Sequence, residues 1–156
     1  MLQAYVDADG EDCKSTALFL FCGAPVAYDS ATIKRVVTSS TEAECNAIAM
    51  VSKENIWQRR VVEELTGTPA CQTPIYGDNS ASIAMLSVGM TRRSRHYAIE
   101  WHYVQGCVEE KELKITWVST EDNLADFFTK KLPKQRFIKL RNTSWESEIN
   151  PQNELR

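Results

Sequence analysis

Alternating apolar and polar positions at the start of the chain give way, at residue 39, to a helical period. Gln3 to Asp7 (QAYVD) predicts a strand that ends in an acid, and Thr16 to Tyr28 (TALFLFCGAPVAY) predicts two strands joined around Gly23–Pro25. A third run, Arg35 to Thr38, follows a polar turn, and together these segments predict an antiparallel meander. Ser39-x-x-Glu42 is a capping-box signature. Ala43, Ala47, Val51, Ile56 or Trp57, Val61 and Leu65 then mark one face of a helix of about seven turns, stopped by Gly67 and Pro69. Pro74 to Tyr76 has the character of a short buried strand. Asp78-Asn79-Ser80 ends it and caps a helix over Ala81 to Leu86. A further helix over Tyr97 to Val108, a charged strand over Glu112 to Val118 and a last helix from near Glu121 complete the order. Alternation after an antiparallel start predicts an α/β fold, a mixed central sheet with helices on its faces. Periodicity ends near Asn142, so residues 1–141 are expected to form one domain and 142–156 a fraying tail.

Composition changes this picture little. The 156 residues suffice for one domain with an ordinary core, and 43% hydrophobic and 25% charged residues with a net charge of −3 describe a globular chain. Net charge does not itself point to nucleic acid, although basic residues cluster at Arg92, Arg93 and Arg95 and from Lys130 to Arg141. The five cysteines are odd in number, widely spaced and form no C-x-x-C pair, which argues against a disulfide framework or a zinc site and for a reducing compartment. Thr16 to Tyr28, the most apolar stretch, is too short to span a bilayer and is broken by Gly23 and Pro25. Met1 is not followed by a basic region and apolar core of signal type, so no membrane partner or secretion is expected.

Five motifs in order, VDAD, SSTEAE, DNSASIA, SRHYAIEWHYV and LADFFTKKLP, resemble the ribonuclease H domain of copia-type LTR retrotransposon polyproteins over Tyr5 to Leu140. The resemblance implies a ribonuclease H-like fold with a five-stranded mixed sheet and helices on both faces. It implies a hydrolase that cuts the RNA strand of RNA–DNA hybrids beside a reverse transcriptase polymerase domain, in the cytoplasm or within virus-like particles. By motif match the catalytic, metal-binding acids fall on Asp7, Glu44, Asp78 and Asp126, with Asp7 and Asp78 central and the other two flanking. Glu44 is preferred to Glu42 because Glu42 fits the capping position after Ser39. Gathered acids repel one another unless divalent cations neutralise them, and carboxylates suit two Mg2+ ions, with Mn2+ as a substitute. Selectivity for RNA must come from 2′-hydroxyls and the minor groove. Ser40, Thr41, Asn46, Asn79 and Ser80 are the candidate readers, and Arg92, Arg93, Arg95 and His96 the candidate phosphate contacts.

Two departures from the family pattern stand out. The mobile histidine that cellular ribonucleases H carry before the last acid is absent from the loop Ser119-Thr120-Glu121-Asp122, and Gly10 stands where copia-type sequences often have tryptophan. Asp9 reads equally as a turn former and is left out of the site. His96 and His102, six residues apart, cannot form a paired ligand on one helix face. Trp57, Trp101 and Trp117 are expected in the core. A non-catalytic module of this fold, tethering a polymerase or binding nucleic acid, is the rival reading, and the intact acid set counts against it. A transposase or integrase of related fold would usually need three principal acids and a longer insertion before the last.

Overall fold

A computed structural model describes residues 1–9, 14–33, 39–88 and 98–145. The meander consists of β1 (Leu2–Asp9), β2 (Lys14–Phe21) and β3 (Ala24–Thr32). β2 and β3 meet in a two-residue turn at Cys22 and Gly23, whose φ values of 52° and 88° match the twist of a tight hairpin. The turn therefore precedes Pro25, which lies inside β3. That position is tolerated because β3 is the edge strand and carries a bulge: Phe19 pairs with Ala27 and Leu20 with Pro25, leaving Val26 unmatched. The run Arg35–Thr38 lies outside the described residues.

Helix α1 (Ser40–Thr66) follows, and both of its ends are local chemistry. Ser39 Oγ accepts the Glu42 N–H at 3.2 Å, and Gly67, at φ 67°, closes the last turn by donating to the Glu63 carbonyl. β4 (Thr73–Gly77), α2 (Ser80–Val88), α3 (Ala98–Glu109) and β5 (Leu113–Trp117) come next. β4 runs parallel to β1 and β5 parallel to β4, giving a five-stranded mixed sheet in the order β3-β2-β1-β4-β5.

Alternation along the central strands sends side chains to two cores. Ala4, Val6, Ala17 and Phe19 pack with Ala47, Ile48 and Val51 of α1 and Val104 of α3. Leu18 and Leu20 point the other way, toward Leu124 and Leu140. Each such large side chain contributes roughly 1.5–3 kcal/mol on burial. Leu140 belongs to α5 (Lys134–Trp145), so helices cover both faces, and α5 continues past Asn142. The single last helix expected from Glu121 is instead a 3-10 turn at Thr120–Asp122, a short α4 (Asp126–Thr129) and α5, because Pro133 interrupts the chain between them. Of the three tryptophans expected in the core, Trp101 is there. Trp57 and Trp117 are 59% and 56% exposed. Trp57 falls off the buried stripe of α1, and Trp117 ends the edge strand β5, where its indole N–H reaches the Asp78 carbonyl at 3.1 Å.

Candidate metal centre

Parallel pairing of β1 and β4 sets the middle of the site. Ala4 stands opposite Ile75 and Tyr5 opposite Tyr76, so the same register carried onward puts Asp78, just past β4, level with Asp7 near the end of β1. Ligands of α/β folds gather at such carboxyl ends of parallel strands. From the first turns of α1, Glu44 completes a trio: one carboxylate oxygen from each of Asp7, Glu44 and Asp78 lies within 4.8 Å of the others. Asp7 and Glu44 are buried and Asp78 half-buried.

Charge is poorly compensated here. Glu44 Oε1 accepts the Ala8 N–H at 3.3 Å, while Oε2 is buried with no partner. Burial, together with repulsion from Asp7 and Asp78, pushes the Glu44 carboxyl up to about 8. Asp7 is also raised, chiefly by burial, against the opposing pull of Thr129 and Lys130. An orphaned, buried carboxylate oxygen facing two other acids is a donor set that suits a hard divalent cation.

Asp126 sits outside the trio and is fully buried. Lys130 Nζ lies 2.8 Å from its Oδ1 and 3.1 Å from Asp7 Oδ1, while Arg136 pairs with Asp126 Oδ2. Thr129 donates its hydroxyl to Asp7 Oδ2. Asn123, buried, donates to the Val6 carbonyl at 2.9 Å and accepts the Ala125 N–H at 3.1 Å, and so fixes this turn against β1 beside Asp7. Asn123, Thr129, Lys130 and Arg136 belong to the site through these contacts and not through any of the sequence motifs' acids. Part of the signal was present, because Asp126 and Lys130 stand four apart on one helical turn.

The other candidate residues separate. Ser40 is exposed and Thr41 half-buried at the start of α1, near the trio in sequence. Asn46 lies about 200° around the helix from Glu44. It lines a cleft with Thr32, Lys53 and Glu100, and its buried Nδ2 has no partner. Asn79 Oδ1 caps α2 by accepting the Ser82 N–H at 3.0 Å, and Ser80 is exposed beside it. Glu42 is buried and its N–H belongs to the helix cap, which leaves Glu44 as the acid of α1 in the trio. Arg92, Arg93, Arg95 and His96 lie outside the described residues. Among the described residues, no helix is long and apolar enough to cross a membrane.

Comparison with known proteins adds a context. No protein-family model matches the chain. It is 33% identical over 144 residues, 88% of its length, to the Retrovirus-related Pol polyprotein from transposon TNT 1-94 of Nicotiana tabacum. It is 36% and 35% identical, over 87% of its length, to the Retrovirus-related Pol polyproteins from transposons RE1 and RE2 of Arabidopsis thaliana. The matched stretch is 10–11% of those proteins, so the chain spans about a tenth of the curated relatives it matches. Over most of its length, the chain is thus similar to one segment of retrotransposon Pol polyproteins.

Proposed function

We propose that this chain is the ribonuclease H domain of a copia-type retrotransposon Pol polyprotein, a metal-dependent endonuclease acting on the RNA strand of RNA–DNA hybrids. The observation that carries the reading is the convergence of Asp7, Glu44 and Asp78 at the carboxyl ends of two parallel strands, with a buried Glu44 oxygen left unpartnered. Similarity to Pol polyproteins and the order of the five motifs support it. The ribonuclease H-like reading of the fold rests on the same motifs together with the strand order β3-β2-β1-β4-β5.

In this reading Asp7 and Asp78 would stand between two Mg2+ ions, with Glu44 and Asp126 flanking them on either side, and Mn2+ would substitute. Bound ions would lower the pKa of an attacking water and stabilise the leaving oxygen. The chain's own residues do the positioning. Ala8 N–H fixes the Glu44 carboxylate, Thr129 orients Asp7, and Asn79 caps α2 directly after Asp78. Ser40, Thr41 and Ser80, close in sequence to the acids, would read 2′-hydroxyls, whereas Asn46 turns to another face of α1. Arg92, Arg93, Arg95 and His96 would meet phosphates, a contact sensitive to salt and indifferent to sequence.

Cleavage of a labelled RNA–DNA hybrid with Mg2+, compared with duplex RNA and duplex DNA, is the direct test. The wild type should cut the hybrid alone. Asp7→Asn and Asp78→Asn should lose cleavage by a factor of about 100 or more while keeping the circular dichroism of the fold. Retained cleavage in either folded variant would falsify the assignment, and a folded wild type that binds hybrid without ever cutting it would favour a tethering module.

A further inference from the structure

We infer that Lys130 is a tethered counter-ion that holds the Asp7–Asp126 side of the site, so that a second divalent cation settles there only when the ammonium group leaves. The inference rests on the reading of these acids as a metal centre, and extends it to the order in which the centre fills.

Two halves of the site differ in how their charge is met. On the Asp7–Glu44–Asp78 side, no described cation pairs with Glu44 or Asp78, and Glu44 Oε2 is buried and bare. On the Asp7–Asp126 side, the Lys130 ammonium spans the gap, 3.1 Å from Asp7 Oδ1 and 2.8 Å from Asp126 Oδ1, and Arg136 holds the remaining Asp126 oxygen. A divalent ion shared by Asp7 and Asp126 would need those same oxygens at about 2.0–2.1 Å. An ammonium and a divalent cation cannot both sit on one pair of carboxylate oxygens, because the like charges would meet at contact distance in a poorly solvated place. Lys130 can leave where a rigid group could not: it follows the last residue of α4, its side chain is 39% exposed, and its four-carbon stem is flexible. The side toward solvent is where a substrate phosphate would receive it.

Occupancy is therefore ordered. The bare side takes its ion first and unopposed, and the Lys130 side takes its ion late, helped by whatever anion accepts the displaced ammonium. A lysine that merely stapled α4 to β1 would stabilise the fold without opposing metal.

Mn2+ binding to the whole chain, followed by calorimetry and by the electron paramagnetic resonance of free Mn2+, separates these roles without any reading of hydrolysis. The wild type should bind one ion and then a second at least about tenfold more weakly. Lys130→Met should tighten the second step by about tenfold or more and leave the first within about twofold. Lys130→Arg and the neighbouring Lys131→Met should keep the weak second step. A second measurement needs no variant: the Lys130 amine of the wild type should react faster with acetic anhydride once Mn2+ saturates, as read by mass spectrometry of its peptide. An unchanged or weaker second step in Lys130→Met overturns the inference, as does unchanged Lys130 reactivity should that variant not fold. Those results leave the metal centre standing, whereas a folded wild type that binds no Mn2+ at all removes both.

Discussion

Glu44 concentrates the chemistry of the site in one side chain. Its ordinary value is 4.5, and in the fold it is pushed up to about 8 by burial and by Asp7 and Asp78. Below pH 4.5 folded and unfolded chains both hold the proton. Between that value and about 8 only the folded chain keeps it, so unfolding releases a proton and stability falls as pH rises through this window. The loss is complete above the folded value. In the presence of a chelator, the melting temperature of the wild type should therefore fall from pH 5 to pH 8, by an amount equivalent to roughly a few kcal/mol. Glu44→Gln should flatten that slope and melt higher than the wild type at pH 8. Mg2+ or Mn2+ should reverse the alkaline loss in the wild type and do far less in the variant. Parallel pH slopes for the two proteins, measured by differential scanning calorimetry, would show that the charge on Glu44 is met elsewhere.

At the scale of elements, the segment from Asn123 to Lys130 is what links the last acid to the sheet. Asn123→Ala leaves the Val6 carbonyl and the Ala125 N–H without their partner in a buried place. That should cost about 1–3 kcal/mol and lower the melting temperature by several degrees. It should also weaken the stabilisation by Mn2+, which a comparably destabilising change in the distant α1–β4 connection would leave intact. How much of this was readable follows from the range of each interaction. Ser39 and Gly67 bound α1 through contacts with residues three or four positions away, so the capping signature and the glycine stop located that helix closely. Asp78-Asn79-Ser80 was legible for the same reason. Asn123 bonds to Val6 across 117 positions and Lys130 to Asp7 across 123, and no spacing along the chain records either. Pro25 suits a turn by residue type alone, while its tolerance inside β3 depends on that strand lying at the sheet edge. Size and apolarity favour the core for Trp57 and Trp117, but helical phase and strand position leave both exposed.

For the whole molecule, the two cores on opposite sides of the sheet leave the carboxyl ends of β1 and β4 free to gather acids, and the bare trio they present makes the fold responsive to divalent ions. The opposite concern arises at the far edge of the same sheet. β3 is exposed along much of its length, with Val26 and Tyr28 among the most exposed apolar side chains, and apolar hollows lie against it under Tyr28 and Phe128 and beside Trp57. An open, apolar edge strand invites pairing between molecules. Pro25 has no N–H to offer an incoming strand, the bulge at Val26 breaks the straight ladder such a strand would follow, and Asp29 adds an exposed charge. The irregularity in β3 thus works as a guard on solubility. Pro25→Thr with deletion of Val26 would give a regular edge, and the resulting protein, even if it melts no lower, should scatter light and form sedimenting assemblies at concentrations where the parent remains clear.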